Sequence, residues 1–239
     1  MRFTVLGSGT AVQFQKRASA SYLLEIGKKK LLLDAGFYLL QRLEELYVGA
    51  DEIDYIFLSH KHPDHFMGLI HLLFALRHPF YRRKSPVYIF GFQGVKEYFQ
   101  QFQNILGRWL DSETELVFSE EQRGCFDEFS YKLFDTVHTE ESVGIEIIAE
   151  DKKIVYTSDT EKFYGLSEIL DNSHVCVLEC AANPKEKIKG HLSFEDILEI
   201  NSCSRIKHLI LSHFYPDSVP KKNYLQNLIL AEDLYQLEI

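Results

Sequence analysis

The sequence predicts an α/β protein of four layers, two β-sheets packed face to face between helices. Three observations carry this: strand-like runs outnumber helical ones, they fall into two β-rich halves, and each half is flanked by amphipathic helical stretches. At 239 residues the chain buries a sizeable core, and residues 1–239 are expected to form a single domain.

The first half opens with strand "RFTVLGSG", strand "SYLLEIG", a lysine-rich turn and strand "KKLLLDAG", followed by the helical "FYLLQRLEELYVG". A strand then ends in "IDYIFLS". The stretch "FMGLIHLLFALRHPF" has helical length and apolar spacing, "SPVYIFG" returns as a strand, and "GVKEYFQQFQNILGRWL" reads as a helix. In the second half "ELVFSE", "FSYKLFDTVH", "SVGIEIIAE" and "KKIVYTSD" read as consecutive strands, with a helix over "FYGLSEILD". Strand "VCVLEC", helix "SFEDILEINSC" and strand "HLILSHF" follow, and a final helix is expected from about Lys222. Order is expected throughout except at the last few residues.

Composition is ordinary for a globular protein, with 46% apolar and 26% charged residues and no repeat. The formal charge of −9 argues against a nonspecific nucleic-acid coat and leaves a local phosphate site open. Cys125, Cys176, Cys180 and Cys203 lack CxxC spacing and read as buried thiols. With no signal-peptide pattern at "MRFTVLGSGTA" and no apolar run of membrane-spanning length, the expectation is a cytoplasmic protein without a membrane partner.

The most informative stretch is "LSHKHPDHFMG", which crowds His60, His62, Asp64 and His65 together directly after a strand. Imidazoles and a carboxylate suit a borderline divalent ion, and alternate residues of an extended segment point the same way, so His60 and His62 are expected to grip one ion. Asp64 and His65 lie beyond the proline, where the chain turns, and are expected to face a second position. His138, Asp159 and His213 each stand at the C-terminal end of a predicted strand, where α/β folds gather reactive groups.

These motifs in this order resemble the metallo-β-lactamase superfamily, in the branch that includes ribonuclease Z and related phosphodiesterases. The resemblance covers nearly the whole chain. It rests on "GSGTA", "LLLDAG", the His-x-His-x-Asp-His signature, the lone His138, the "SDT" aspartate, "HLS" and "LSHF". The resemblance implies a metallo-β-lactamase fold and a hydrolase with two divalent ions, zinc first, with Mn2+ or Fe2+ as alternatives. It places His60, His62 and His138 on one ion, Asp64, His65 and His213 on the other, and Asp159 between them. Asp64 is the candidate to orient the attacking water. His191, in "GHLSFED", matches the family's proton donor, and Glu179 is placed to hydrogen-bond it.

A substrate expectation follows from what is short. Ribonuclease Z carries, between the equivalents of His138 and Asp159, a long arm that grips tRNA; here "TEESVGIEIIAEDKKIVYTS" holds only two strands and a turn. A small phosphodiester is expected: a cyclic nucleotide, a cyclic sugar phosphate or a short RNA end. The alternatives are tRNA 3′-processing and acyl hydrolysis of a lactone or thioester. The loop "RHPFYRRKSP" is the one basic, aromatic concentration that would bind RNA, and Ser8, Gly9 and Thr10 offer backbone donors for a phosphate. A homodimer is compatible with the sequence.

Overall fold

The computed structural model describes residues 1–111, 113–183, 188–221 and 225–239. The first sheet takes β1 (Arg2–Gly7), β2 (Ser21–Ile26), β3 (Lys29–Leu33), β4 (Tyr55–Leu58), β5 (Val87–Gly91) and β6 (Leu116–Ser119). The second takes β7 (Arg123–Cys125), β8 (Ser130–Asp135), β9 (Val143–Ala149), β10 (Lys152–Tyr156), β11 (Ser173–Glu179), β12 (Ile206–Ser212) and β13 (Leu228–Leu230). The last strand, β14 (Gln236–Glu238), returns to the first sheet. The strand orders are β14-β1-β2-β3-β4-β5-β6 and β13-β12-β11-β10-β9-β8-β7.

Each sheet is antiparallel at one end and parallel at the other. From β3 to β6 and from β10 to β13 all neighbours run parallel. Parallel strands place their C-terminal ends at one edge, and there the loops after β4, β10 and β12 meet. Helices α1 (Leu39–Glu45), α2 (Pro63–Ala75) and α3 (Val95–Leu106) flank the first sheet, and α4 (Leu166–Leu170) and α5 (Phe194–Ser202) the second. This is the αββα sandwich.

The core between the sheets is aromatic and aliphatic. Tyr22 of β2 meets Tyr156 of β10 edge to face at 5.0 Å, and Phe57 of β4 meets the same ring at 6.4 Å. Burying a tyrosine requires a partner for its hydroxyl. Tyr22 donates to Ser212 Oγ at 2.7 Å and Tyr156 to Asp34 Oδ2 at 2.7 Å, so both phenols tie the sheets together near the loop edge.

Three expectations are corrected. No helix is found among the described residues after Lys221; residues 222–224 lie outside them, and Leu228–Leu230 and Gln236–Glu238 are strands. The chain end is likewise ordered, β14 pairing with β1 and Ile239 N–H donating to Met1 O at 3.0 Å. Of the cysteines, Cys176 and Cys180 are buried, whereas Cys125 and Cys203 are exposed. No helix among the described residues is long and apolar enough to cross a membrane.

Candidate active site

The loop edge gathers the candidate ligands by local devices. After β4 the chain runs extended through His60 and His62, then Pro63 starts α2 as its first residue. Asp64 and His65 therefore sit in a helical first turn rather than a free turn, where a carboxylate complements the helix dipole. Close backbone approach fixes that turn: Ala35 N–H donates to His65 O and Gly68 N–H to Ala35 O, both at 2.8 Å. A Cβ at Gly36 would lie 2.5 Å from Asp64 O, so the "DAG" segment needs glycine there. His213 follows β12 directly, Asp159 lies three residues past β10, and His138 three past β8.

The seven side chains converge in two groups, and Asp159 and His213 form a third close set with His191. His60, His62, His138 and Asp159 form the first group and Asp64, His65 and His213 the second, the donor atoms of each lying within 4.8 Å of one another. Asp159 Oδ2 is 3.6 Å from His138 Nε2 and 3.2 Å from His213 Nε2, and Oδ1 is 3.5 Å from His65 Nε2, so this carboxylate touches both groups. All seven sequence-selected residues come together.

Whether cations fit here is decided by what the buried atoms lack. His60 Nε2, His65 Nε2 and Asp159 Oδ1 are buried with no hydrogen-bond partner. Leaving His60 Nε2 bare, and His65 Nε2 and Asp159 Oδ1 with only each other at 3.5 Å, costs on the order of 1–3 kcal/mol for each unsatisfied atom unless something else satisfies them. Burial, reinforced by the neighbouring His65, pushes His60 well below its ordinary pKa, and burial lowers His138 as well. Both rings are therefore neutral, the form that binds a metal. His65 behaves oppositely: burial works against its charge, but Asp159 and Asp34 outweigh it and raise the pKa well above normal. Positive charge is wanted between these carboxylates. The nitrogen and oxygen donor set suits zinc and its neighbours.

A second set of groups aims the first. Asp34, fully buried at the end of "LLLD", accepts from Ser59 N–H (2.8 Å), Ser59 Oγ (2.7 Å) and Tyr156 Oη (2.7 Å), and pairs with His65 Nδ1 at 2.6 Å. His60 Nδ1 pairs with Ser59 Oγ at 2.9 Å, and His138 Nδ1 with the Gly190 carbonyl at 2.9 Å. Sequence reasoning noted "LLLDAG" as a motif but gave Asp34 no role. The signal was there in an acidic residue closing an apolar strand.

His191 and Glu179 stand beside this centre. His191 Nδ1 lies 2.8 Å from Glu179 Oε1, and the ring meets His138 edge to face at 4.8 Å and stacks 6.0 Å from His213. Glu179 also accepts from Thr160 N–H and Ala181 N–H at 3.1 and 2.9 Å. Burial disfavours the imidazolium, but the bond to Glu179 and its charge more than offset this and hold the pKa up to about 9.

Two expectations are narrowed. Ser8 and Gly9 are buried and their N–H groups already donate to Asp233 (2.9 Å) and Ala18 O (2.8 Å), so they are not phosphate donors. In the basic loop, Arg83 has a side chain 6% exposed and donates to Asp51 O, Ile53 O and Asp54. Arg77 donates to Trp109 O and stacks on Phe74, while Arg82 pairs with Glu113 on the surface. Arg83 is thus committed within the protein, while Arg77, Arg82 and Lys84 remain exposed.

Two stacked sheets between helices, with histidines and aspartates gathered at one loop edge, define a metallo-β-lactamase fold. Solved structures agree: the metallo-beta-lactamase fold protein YhfI from Bacillus subtilis superposes with a TM-score of 0.82 at 21% identity, over 99% of this chain and 98% of its own. Human tRNase Z, short form, does so with a TM-score of 0.83 at 22% identity, over 100% and 99%. The chain belongs to the family described as Anti-Pycsar protein Apyc1, which matches residues 1–233. Among curated relatives, a ribonuclease Z of Archaeoglobus fulgidus is 24% identical over 302 aligned positions, covering 100% of this chain and 97% of its own length. Since this chain has 239 residues, that relative carries segments absent here.

Proposed function

We propose that the protein is a metal-dependent hydrolase, built as one domain over residues 1–239, that cleaves a small phosphodiester such as a cyclic nucleotide or cyclic sugar phosphate. The observation that carries this reading is the His191–Glu179 pair beside Asp159, a carboxylate within 3.6 Å of histidines from both candidate ligand groups. His60, His62, His138 and Asp159 would hold one ion and Asp64, His65, His213 and Asp159 the other. Two such ions, when bound, activate a water and neutralise the charge of a phosphoryl group in displacement.

The chain's own side chains then have distinct roles. Asp64 is placed to orient the attacking water and accept its proton. His191 donates a proton to the departing oxygen, a need that is acute for a sugar alkoxide and slight for many acyl leaving groups. Glu179 keeps that imidazole charged and its Nδ1–H pointed inward, leaving Nε2–H for the substrate. Phosphodiesters are therefore favoured over lactones and thioesters.

Small size is favoured by the stretch between His138 and Asp159. It contains only the β9–β10 hairpin, with no arm to grip a tRNA. The test is a hydrolysis panel with zinc and with manganese: bis(p-nitrophenyl) phosphate, cyclic nucleotides, a lactone and a thioester. Faster turnover of the acyl compounds than of every diester would replace this reading by the acyl-hydrolase one.

A further inference from the structure

Among the histidines of the centre, His213 is aimed differently. The Nδ1 atoms of His60, His65, His138 and His191 are held by Ser59, Asp34, the Gly190 carbonyl and Glu179. His213 Nδ1 is buried without a hydrogen-bond partner. Its backbone has φ +55°, a left-handed conformation uncommon for a residue with a Cβ. Its ring is therefore oriented through the main chain, and the main chain must be held.

What holds it lies outside the ligand groups. Phe214 N–H donates to Ser8 O at 3.1 Å, and Phe214 also bridges to Gly9. Ser8 is fixed in turn by Asp233, which lies between β13 and β14: Oδ1 accepts from Ser8 N–H at 2.9 Å and Ser8 Oγ at 2.7 Å. Oδ2 accepts from Ala18 N–H at 2.7 Å and Arg42 Nη2 at 2.9 Å. Arg17 closes the assembly, donating to Ser8 Oγ (2.5 Å) and Ala231 O (2.6 Å) while its guanidinium lies 5.1 Å from the Phe214 ring.

We propose that Asp233 is a positioning residue for His213: through Ser8 it fixes the turn from which Phe214 hangs, and so sets the His213 imidazole in the second ligand group. This rests on the two-ion reading above. It assigns the "AED" aspartate near the chain end a part in the centre although it touches none of the ligands.

The two oxygens of Asp233 serve different partners, and this supplies the test. Asp233→Asn keeps an oxygen acceptor for Ser8 but sets a donor against Ala18 N–H and Arg42. Asp233→Ala loses both. Cobalt(II) titrated into the metal-free protein reads two stepwise affinities and a visible spectrum, and thermal unfolding is recorded alongside. Both variants are expected to melt below the unaltered protein. D233A should bind one cobalt normally and the other roughly tenfold or more weakly, with an altered spectrum, the range typical of lost outer-shell support. D233N should restore both affinities to within a few-fold despite its lowered melting temperature.

Ser8→Ala, which removes only the hydroxyl contacts, should weaken the same ion by less; with D233N it decides the question if D233A does not fold. Asp233 is merely structural if D233A and S8A bind both ions as the unaltered protein does, or if D233N loses the ion as fully as D233A. Should the unaltered protein bind fewer than two cobalt ions, the two-ion reading itself fails, and this inference with it.

Discussion

Nε2 of His138 faces Nδ1 of His62 across 3.0 Å. Two neutral imidazoles meeting nitrogen to nitrogen repel through their lone pairs unless a proton or a cation lies between them. His138 already commits Nδ1 to the Gly190 carbonyl, which fixes its tautomer with the lone pair on Nε2. The first candidate ligand group thus offers the His138 Nε2 lone pair either to a proton on His62 Nδ1 or to a cation.

The expected consequence is two metal ions per chain after metal-replete growth, read by elemental analysis. His62→Ala should lower the content and abolish diester hydrolysis together. Chelation should lower the unfolding free energy, by about 2.7 kcal/mol for each site whose ion had been held at 100 times its Kd. A content of one ion or less in the unaltered protein would count against the assignment.

Asp34 supports the centre through four contacts while fully buried. Asp34→Ala strands Ser59 N–H, the Tyr156 hydroxyl and His65 Nδ1 in the core, and a loss of about 3 kcal/mol or more is expected. Denaturant unfolding measures it. A loss below about 1 kcal/mol would mean that water replaces the carboxylate without strain.

His191 and Glu179 make a pH prediction with a definite sign. The folded pKa of His191 is raised to about 9 from a value near 6.5 in an unfolded chain. In the metal-free protein, the stabilisation from charging His191 is fully present below about pH 6.5 as long as Glu179, whose own pKa burial raises, stays ionised, and it is lost as pH rises through about 9. Glu179→Gln removes the raising charge, so the alkaline limb of kcat should move to lower pH. His191→Ala should cost roughly 10²–10⁴ in kcat on a diester with a sugar alkoxide leaving group and much less on a p-nitrophenyl ester. Equal losses on both would remove His191 from the proton-donor role.

The candidate ligands were legible in the sequence because His60, His138, Asp159 and His213 stand within three residues of a strand end, while His62, Asp64 and His65 fall in one compact histidine-rich motif around the start of α2. Their second layer was not. Asp34 joins Tyr156 across 122 positions, and Ser8 joins Asp233 across 225, pairings that no local pattern encodes. The misread C-terminus has a similar cause. "LQNLILAEDLYQLEI" carries apolar residues spaced for either a helix or short strands, and the choice is made by distant edges: β13 pairs parallel with β12, and β14 antiparallel with β1. Tertiary pairing overrides an ambiguous period.

Substrate size gives the last prediction, and the structure sharpens it. An enzyme favours a large substrate by using remote contacts to stabilise its transition state, and a chain without an arm has few to use. The basic loop was the one candidate replacement, yet Arg83 is tied to the main chain of Asp51 and Ile53 and Arg77 to Trp109. Arg82, with a side chain 59% exposed and only a surface partner in Glu113, is the loop arginine best free to change. Arg82→Glu should leave small-diester turnover nearly unchanged, since exposed pairs contribute at most about 1 kcal/mol. Arg83→Glu should instead unfold the loop and lower the melting temperature, because it places a carboxylate against two carbonyls and Asp54. Measured on precursor tRNA, the unaltered protein should cleave poorly and with little salt dependence. Efficient 3′ cleavage that falls steeply with salt and is lost in Arg82→Glu would show a working RNA surface and restore tRNA processing as the activity.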